Sequence, residues 1–150
     1  MLVFAPLYLS LWVFGSLQTS LPVFDRDICP RNLQGYAGDE TITVCVNELK
    51  IPREEVINHE AIHLVHKNFG VDTLLPVGLV HYLAQEAMTE GEVLSVLANY
   101  SDTDYMDGEF EARLLQKLPS PIIITLYRLS EDYAALTSRN KLPLHLQPGR

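Results

Sequence analysis

The sequence predicts an α+β domain that is mainly helical, and three observations support this class. A β-branched run at 41–46 is typical of a strand, residues 52–70 have the pattern of an amphipathic helix, and residues 74–133 divide into further helical pieces. At 150 residues the chain can bury a sizeable core but has no room for a separate substrate domain. We therefore predict one domain over residues 22–150.

The N-terminal segment, residues 1–21, is predicted to target or anchor the protein. Residues 1–24 carry no charged side chain, and the run from Leu2 to Leu17 is almost wholly apolar. A signal peptide usually has a positive N-terminal region, and a membrane span is usually longer and without a residue such as Pro6. An apolar helix packed in the core is a third interpretation. We expect an exported or membrane-anchored protein.

The chain contains two cysteines, Cys29 and Cys45. Their spacing excludes a C-x-x-C redox pair and a four-cysteine zinc site, and it leaves either a disulfide or two free thiols. A disulfide is the expected form in an exported protein, and we predict that the two Cα atoms lie within about 7 Å of each other.

Residues 25–50 are predicted to form a small β-hairpin ahead of the long helix. Gly38 and Asp39 give a turn signal, and the strand runs from Thr41 to Val46. An exposed strand edge beside the helix could hydrogen-bond an extended peptide.

The helix at 52–70 contains the sequence HEAIH. His59 and His63 are four residues apart, so their imidazoles lie on one helix face, one turn apart, where they can share a cation. Glu60 completes the H-E-x-x-H pattern, in which the histidines bind zinc and the glutamate reaches the water on the metal. Pro52 suits the first helical position, and Gly70 is a plausible C-terminal stop. An apolar arc on the other side of the helix comprises Ile57, Ala61, Leu64, Val65 and Phe69.

His66 follows on the same face but lies roughly 10 Å along the axis from His59. We therefore predict that His66 supports the site or lies on the surface. The helical pieces over 74–100 are predicted to break near Pro76, Gly78 and Gly91.

Two more helices are predicted, over 104–118 and from Ser120 to about residue 133. His81 is isolated and is predicted to be a packing or surface residue. The tail from Thr137 is predicted to be loosely ordered.

A catalytic zinc site normally has three protein ligands and leaves the fourth position to water, so the chain must supply another ligand. The best carboxylates are in GEFEAR, residues 108–113. Glu111 falls within an apolar arc, where an unpaired carboxylate is costly. We therefore prefer Glu109 and keep Glu111 as the alternative.

H-E-x-x-H followed by a helix with E-x-x-A resembles the gluzincin metallopeptidases, the thermolysin-like clan. The chain is similar to their compact ImmA/IrrE-type members and to small metallopeptidases of cyanobacteria over roughly residues 41–133. This resemblance implies a minimal zincin-like domain that acts on a peptide or protein substrate. It implies that His59, His63 and Glu109, three residues before Ala112, hold Zn²⁺, and that Glu60 is the catalytic base.

Arg113 departs from this pattern, because relatives usually have Asp or Asn there to brace a zinc-bound histidine. An arginine has no acceptor, so another side chain must take that hydrogen bond. Tyr105, Arg113 and His66 are candidates to stabilise the oxyanion, and Glu111 is a candidate to support the ligands.

The formal net charge of −8, without a basic run, excludes a nucleic-acid binder. Membrane association through residues 1–21 remains an expectation. Two alternatives to a peptidase are a catalytically silent domain in which zinc braces two helices and a metal-free interaction domain. Metal content distinguishes them.

Overall fold

The structure, a computed structural model, describes residues 21–101 and 104–140. Within these ranges the chain forms a three-stranded sheet followed by five α-helices, which confirms the predicted α+β, mainly helical class. The strands are β1 (Val23–Arg26), β2 (Gly35–Ala37) and β3 (Ile42–Cys45), with a 3-10 turn at Pro30–Asn32. The helices are α1 (Arg53–Phe69), α2 (Val77–Ala87), α3 (Glu90–Tyr100), α4 (Met106–Leu115) and α5 (Ser120–Asn140).

The strands lie in the order β1-β3-β2. β2 and β3 are antiparallel, and the N–H of Gly38 donates to the carbonyl oxygen of Thr41 at 2.7 Å in the turn between them, so the predicted hairpin is confirmed. β1 adds a third strand, parallel to β3, with Val23 opposite Ile42. No local signal predicts this strand, because parallel partners are joined by a long connection rather than a tight turn.

The main core lies between the sheet, α1 and α5. Ile42 and Val44 of β3, Ile62 and Val65 of α1, and Ile123 of α5 are fully buried there. The predicted apolar arc of α1 faces this core: Ala61, Leu64 and Val65 are buried, and Ile57 and Phe69 are partly buried. The opposite face of α1 is thereby left for the histidines.

Helix α1 begins at Arg53, directly after Pro52, and ends at Phe69. Gly70 follows in the left-handed conformation, with φ 69° and ψ 38°, and its N–H donates to the carbonyl oxygen of Lys67. The predicted stop at Gly70 is therefore confirmed, and its physical basis is the low steric cost of a positive φ in glycine.

The remaining helices differ from the sequence predictions at their ends. Gly78 and Gly91 lie inside the first turns of α2 and α3 instead of breaking them. Thr89 starts α3 with a capping box, in which its side chain accepts from Glu92 N and Glu92 accepts from Thr89 N. Helix α2 starts directly after Pro76, and the capping box places the start of α3 directly after Thr89.

Helix α4 is shorter than the predicted range of 104–118, and α5 continues past the predicted end at residue 133 to Asn140. At the predicted end, the ring centroids of Tyr133 and Phe69 lie 5.2 Å apart, and beyond it the side chains of Thr137 and Ser138 donate to the carbonyl oxygens of Tyr133 and Ala134 within the helix. The prediction of a loose tail is therefore wrong for residues 137–140, and residues 141–150 lie outside the described chain.

Cys29 and Cys45 form a disulfide with a Cα–Cα distance of 5.6 Å, as predicted. It ties the residue before the 3-10 turn to the end of β3, and such bonds are typical of oxidising compartments. The predicted targeting segment lies outside the described residues except for Leu21, which is buried in the main core. Across residues 21–101 and 104–140, no helix has the length and apolar character needed to cross a membrane.

Candidate metal centre

Three side chains from two helices meet at the face of α1 that lines a cavity. The Nε2 atoms of His59 and His63 are 3.1 Å apart, as the one-turn spacing predicts. Glu109 reaches them from α4, with 3.4 Å between its Oε1 and His59 Nε2 and 3.3 Å between its Oε2 and His63 Nε2. Together these side chains form a group that could hold a metal ion.

The three side chains lie close enough to share one small cation. The two imidazole nitrogens are 3.1 Å apart, and each lies 3.3–3.4 Å from a different oxygen of Glu109. With one ligand atom taken from each residue, all three atoms lie within 4.8 Å of one another. Two imidazoles and one carboxylate are also a donor set that divalent transition metals accept.

Helix α4 approaches α1 closely because small residues occupy the contact. Ala112 is fully buried, and Gly108 lies where an added Cβ would stand 2.8 Å from the carbonyl oxygen of Asp72. Asn58 of α1 completes the contact, since its Nδ2 donates to the carbonyl oxygens of Gln116 and Leu118, each at 3.0 Å. These contacts fix where Glu109 enters the site.

The ligands stabilise one another's charged forms in the absence of an ion. Burial would raise the pKa of Glu109, but hydrogen bonds and charges from His59 and His63 outweigh it and hold that pKa well below its usual range. Burial lowers the pKa of His59, yet the hydrogen bond and charge of Glu109 raise it overall. Both shifts show a strong attraction for positive charge beside Glu109.

Arg113 contacts Glu109 and is not among the residues that line the cavity beside the three candidate ligands. Its Nε donates to Glu109 Oε1 at 3.1 Å, one helical turn away. One of the five N–H groups of the guanidinium therefore contacts an oxygen of a candidate ligand.

The hydrogen bond that Arg113 cannot accept is taken by Gln116. Gln116 Oε1 lies 3.1 Å from His59 Nδ1, and Gln116 Nε2 donates to Glu55 Oε2 at 3.3 Å. Because the ionised carboxylate of Glu55 only accepts, it selects the amide nitrogen and leaves the amide oxygen for His59. The proton then resides on Nδ1, and the Nε2 lone pair of His59 faces the metal position.

Sequence reasoning missed Gln116, although a signal exists. It stands seven residues after Glu109, which is two turns along the same helix face.

Glu60 lies beside the candidate ligands in the same cavity and is buried. Burial raises its pKa, and the charge of Glu109 adds to this effect, while His59, His63 and a hydrogen bond from the backbone of Ala37 oppose it. Glu60 is thus held by an edge strand in a position to exchange protons with a group in the cavity.

His66 and Glu111 form a separate buried pair. His66 Nε2 lies 2.6 Å from Glu111 Oε2, and Glu111 also accepts from the N–H groups of Leu74 and Leu75, each at 2.7 Å. Burial would raise the pKa of Glu111, but these hydrogen bonds outweigh it and lower it. Glu111 therefore has the hydrogen-bond partners that a buried carboxylate needs. None of these partners belongs to the group of three candidate ligands.

The two tyrosines near the cavity differ in burial. Tyr105, an oxyanion candidate, is 75% exposed at the cavity rim. Tyr100, which sequence reasoning missed, is partly buried in the cavity wall, and burial together with the charges of Glu109 and Glu60 raises its pKa. A neutral phenol therefore lies near both carboxylates.

The cavity has a volume of about 580 Å³ and is bounded on one side by β2. Gly38 and Gln34 pair with β3, so the alternate residues Gly35 and Ala37 direct their backbone groups away from it. Gly35 allows β2 to lie against α1, because an added Cβ would stand 2.6 Å from Val56 Cγ1 and 3.0 Å from the carbonyl oxygen of Thr43.

No family model, curated protein or solved structure matches the chain.

Proposed function

We propose that this chain is a zinc-dependent peptidase. The observation that carries the proposal is the meeting of His59, His63 and Glu109, with one ligand atom from each within 4.8 Å of the others, and with Glu60 in the same cavity. Zinc is the natural occupant, since it accepts imidazole and carboxylate in a four-coordinate site with one position open. The resemblance to gluzincin metallopeptidases agrees with this assignment.

When bound, zinc lowers the pKa of a coordinated water towards about 7 and polarises the scissile carbonyl. Glu60 takes the proton from the attacking water and passes it to the departing amine. Burial, which raises the pKa of Glu60, brings this carboxylate closer to the pH at which proton exchange is efficient. Gln116 orients His59, and Arg113 orients Glu109.

An extended peptide is the substrate that the cavity walls favour. The backbone groups of Gly35 and Ala37 that point away from β3 can pair with a peptide as an added strand. The N–H of Ala37 is the exception, because it donates to Glu60. Such pairing lays the peptide backbone along α1, where the H-E-x-x-H side chains are presented. The disulfide also supports our proposal that the protein is exported.

The test is metal analysis and peptide hydrolysis by the purified chain and its Glu60→Gln variant. We expect one zinc per chain in both proteins and cleavage of a mixed peptide library by the wild type alone. A chelator should stop cleavage and added zinc should restore it. The matched control is Glu86→Gln on the exposed face of α2, which should change neither zinc content nor activity.

Arg113 favours a second candidate, a catalytically silent domain in which zinc braces α1 and α4. Arg113 Nε donates to Glu109 Oε1, so this hydrogen bond competes with the metal for a ligand oxygen. Stoichiometric zinc without any cleavage by the wild type would support this candidate over the peptidase. Absence of zinc would reject both and leave a metal-free interaction domain.

A further inference from the structure

Three exposed apolar side chains converge on the cavity that contains the candidate metal centre. Leu33, Val71 and Tyr105 are 40%, 42% and 75% exposed, and all three line this cavity. They come from three separate segments: the approach to β2, the end of α1 and the start of α4. Three separate segments therefore contribute exposed apolar surface to one cavity.

The backbone fixes Val71 in this position. The N–H of Val71 donates to the carbonyl oxygen of His66 at 3.1 Å, which completes the helix-ending motif begun at Gly70. In this motif the residue at the position of Val71 usually packs on an apolar residue at the position of His66. Because His66 is engaged by Glu111, much of the Val71 side chain remains available in the cavity.

The charges around the cavity are mostly negative. Its lining includes four carboxylates: Glu60, Glu109, Asp72 and Asp104. The lysine in the lining, Lys67, is paired with Asp39 at 3.1 Å. A bound zinc ion would offset two of these four negative charges, so an acidic side chain entering the cavity would still meet a net negative charge from the carboxylates, whereas an apolar one would meet the surface of Leu33, Val71 and Tyr105.

We propose that the cavity selects extended peptide segments with a large apolar or aromatic side chain and discriminates against acidic ones. The apolar side chain packs against Leu33, Val71 and Tyr105, and the peptide backbone follows β2. This assignment of substrate class rests on the proposed peptidase function, but peptide binding can be measured apart from cleavage.

The experiment uses the full chain carrying Glu60→Gln, loaded with zinc, and fluorescein-labelled octapeptides that differ only at one central residue: Phe, Leu, Ser or Asp. Dissociation constants are measured by fluorescence anisotropy. Burial of one large apolar side chain corresponds to an affinity gain of about tenfold or more, so we expect the Phe and Leu peptides to bind at least about tenfold more tightly than the Ser peptide. The Asp peptide should bind most weakly.

Two variants and two matched controls locate the selectivity. Val71→Ser and Tyr105→Ala should each reduce the ratio of Phe to Ser affinity severalfold. The controls are Val77→Ser and Tyr82→Ala on α2, whose side chains are 42% and 59% exposed and do not line the cavity. They should leave the ratio unchanged, and zinc content with thermal unfolding verifies the fold of all four variants.

Equal affinity for all four peptides, or no binding of any, would overturn the proposed selectivity, as would equal losses in the α2 controls. If the wild type cleaves no peptide while the binding preference persists and follows Val71 and Tyr105, the peptidase function is rejected and the selectivity stands.

Discussion

Gln116 Oε1 accepts a hydrogen bond from His59 Nδ1 at 3.1 Å, and this contact links the end of α4 to the first histidine of the H-E-x-x-H sequence. The bond selects the tautomer that leaves Nε2 free to bind a cation. It also explains how the site tolerates Arg113, which cannot accept a hydrogen bond.

Replacing Gln116 with methionine should therefore weaken zinc binding. Loss of such a supporting partner typically costs ten- to a hundredfold in metal affinity, and we expect a loss of about tenfold or more in a competitive chelator titration. Gln85→Met, on the exposed face of α2, is the matched control and should bind zinc as the wild type does. An unchanged zinc affinity for Gln116→Met would show that the contact with His59 does not support metal binding.

The two carboxylates of GEFEAR should respond to the same substitution in different ways. Glu109→Gln should reduce zinc affinity by about tenfold or more, because the site loses an anionic ligand oxygen. Glu111→Gln should keep stoichiometric zinc in the folded protein but lower the free energy of unfolding by roughly 3 kcal/mol, since one acceptor for His66 and the backbone is lost in a fully buried position. Urea unfolding and metal analysis of both variants check this. Loss of zinc in Glu111→Gln alone would transfer the ligand role to Glu111.

Two glycine substitutions should have opposite effects on stability. Gly35→Ala places a Cβ 2.6 Å from Val56 Cγ1 and 3.0 Å from the carbonyl oxygen of Thr43, so β2 must move away from α1. We expect destabilisation by about 1–3 kcal/mol, as for other overpacked sites, and impaired peptide cleavage. In Gly78→Ala the added Cβ meets no atom within 4 Å and lies in a helix, so stability should rise by about 0.5–1 kcal/mol. Thermal unfolding measures both changes in stability. If both variants were more stable than the wild type, or both less stable, the result would contradict the close approach of β2 to α1.

The capping box of α3 should make part of the stability depend on pH. Hydrogen bonds from the N–H and the side chain of Thr89 lower the pKa of Glu92 from its usual value of 4.5. Burial opposes this shift, and Lys117 adds to it. A lowered pKa in the folded state means that the ionised form stabilises the fold above about pH 4.5, and that this contribution is lost as pH falls through the folded pKa.

Thermal unfolding of the wild type and Glu92→Gln should therefore differ clearly at pH 7 and much less at pH 3. Thr89→Ala should cost about 1 kcal/mol at pH 7, as is typical for loss of an N-terminal cap. Glu90→Gln is the control, since Glu90 stands in the same first turn but does not form the capping box. A stability difference for Glu92→Gln that is the same at both pH values would contradict a role for its ionised form.

Features with a short-range cause were predictable from the sequence. The turn at Gly38, the strand after it and the stop of α1 at Gly70 depend on the preferences of a few adjacent residues, and each was confirmed. The pairing of Cys29 with Cys45 was confirmed too, because two cysteines allow one bridge. The capping box at Thr89 is equally local, and its signal was overlooked.

Features that depend on long-range packing were predicted less well. Strand β1 was missed because its partner β3 is distant in the sequence. The spacing of Gln116 from Glu109 places both on one face of a helix, but its hydrogen bond with His59 depends on the packing of α4 against α1.

The sequence by itself determined that His59 and His63 lie on one face of a helix, one turn apart, because they are separated by four residues. It also placed Glu60 directly beside His59. Only the tertiary structure decided which carboxylate meets them. Glu109 and Glu111 lie two residues apart and point to different sides of α4, so the packing of α4 on α1 through Gly108 and Ala112 sends Glu109 to the histidines and Glu111 to His66. Packing between helices depends on the shapes of both surfaces together, and that information is not local to either segment.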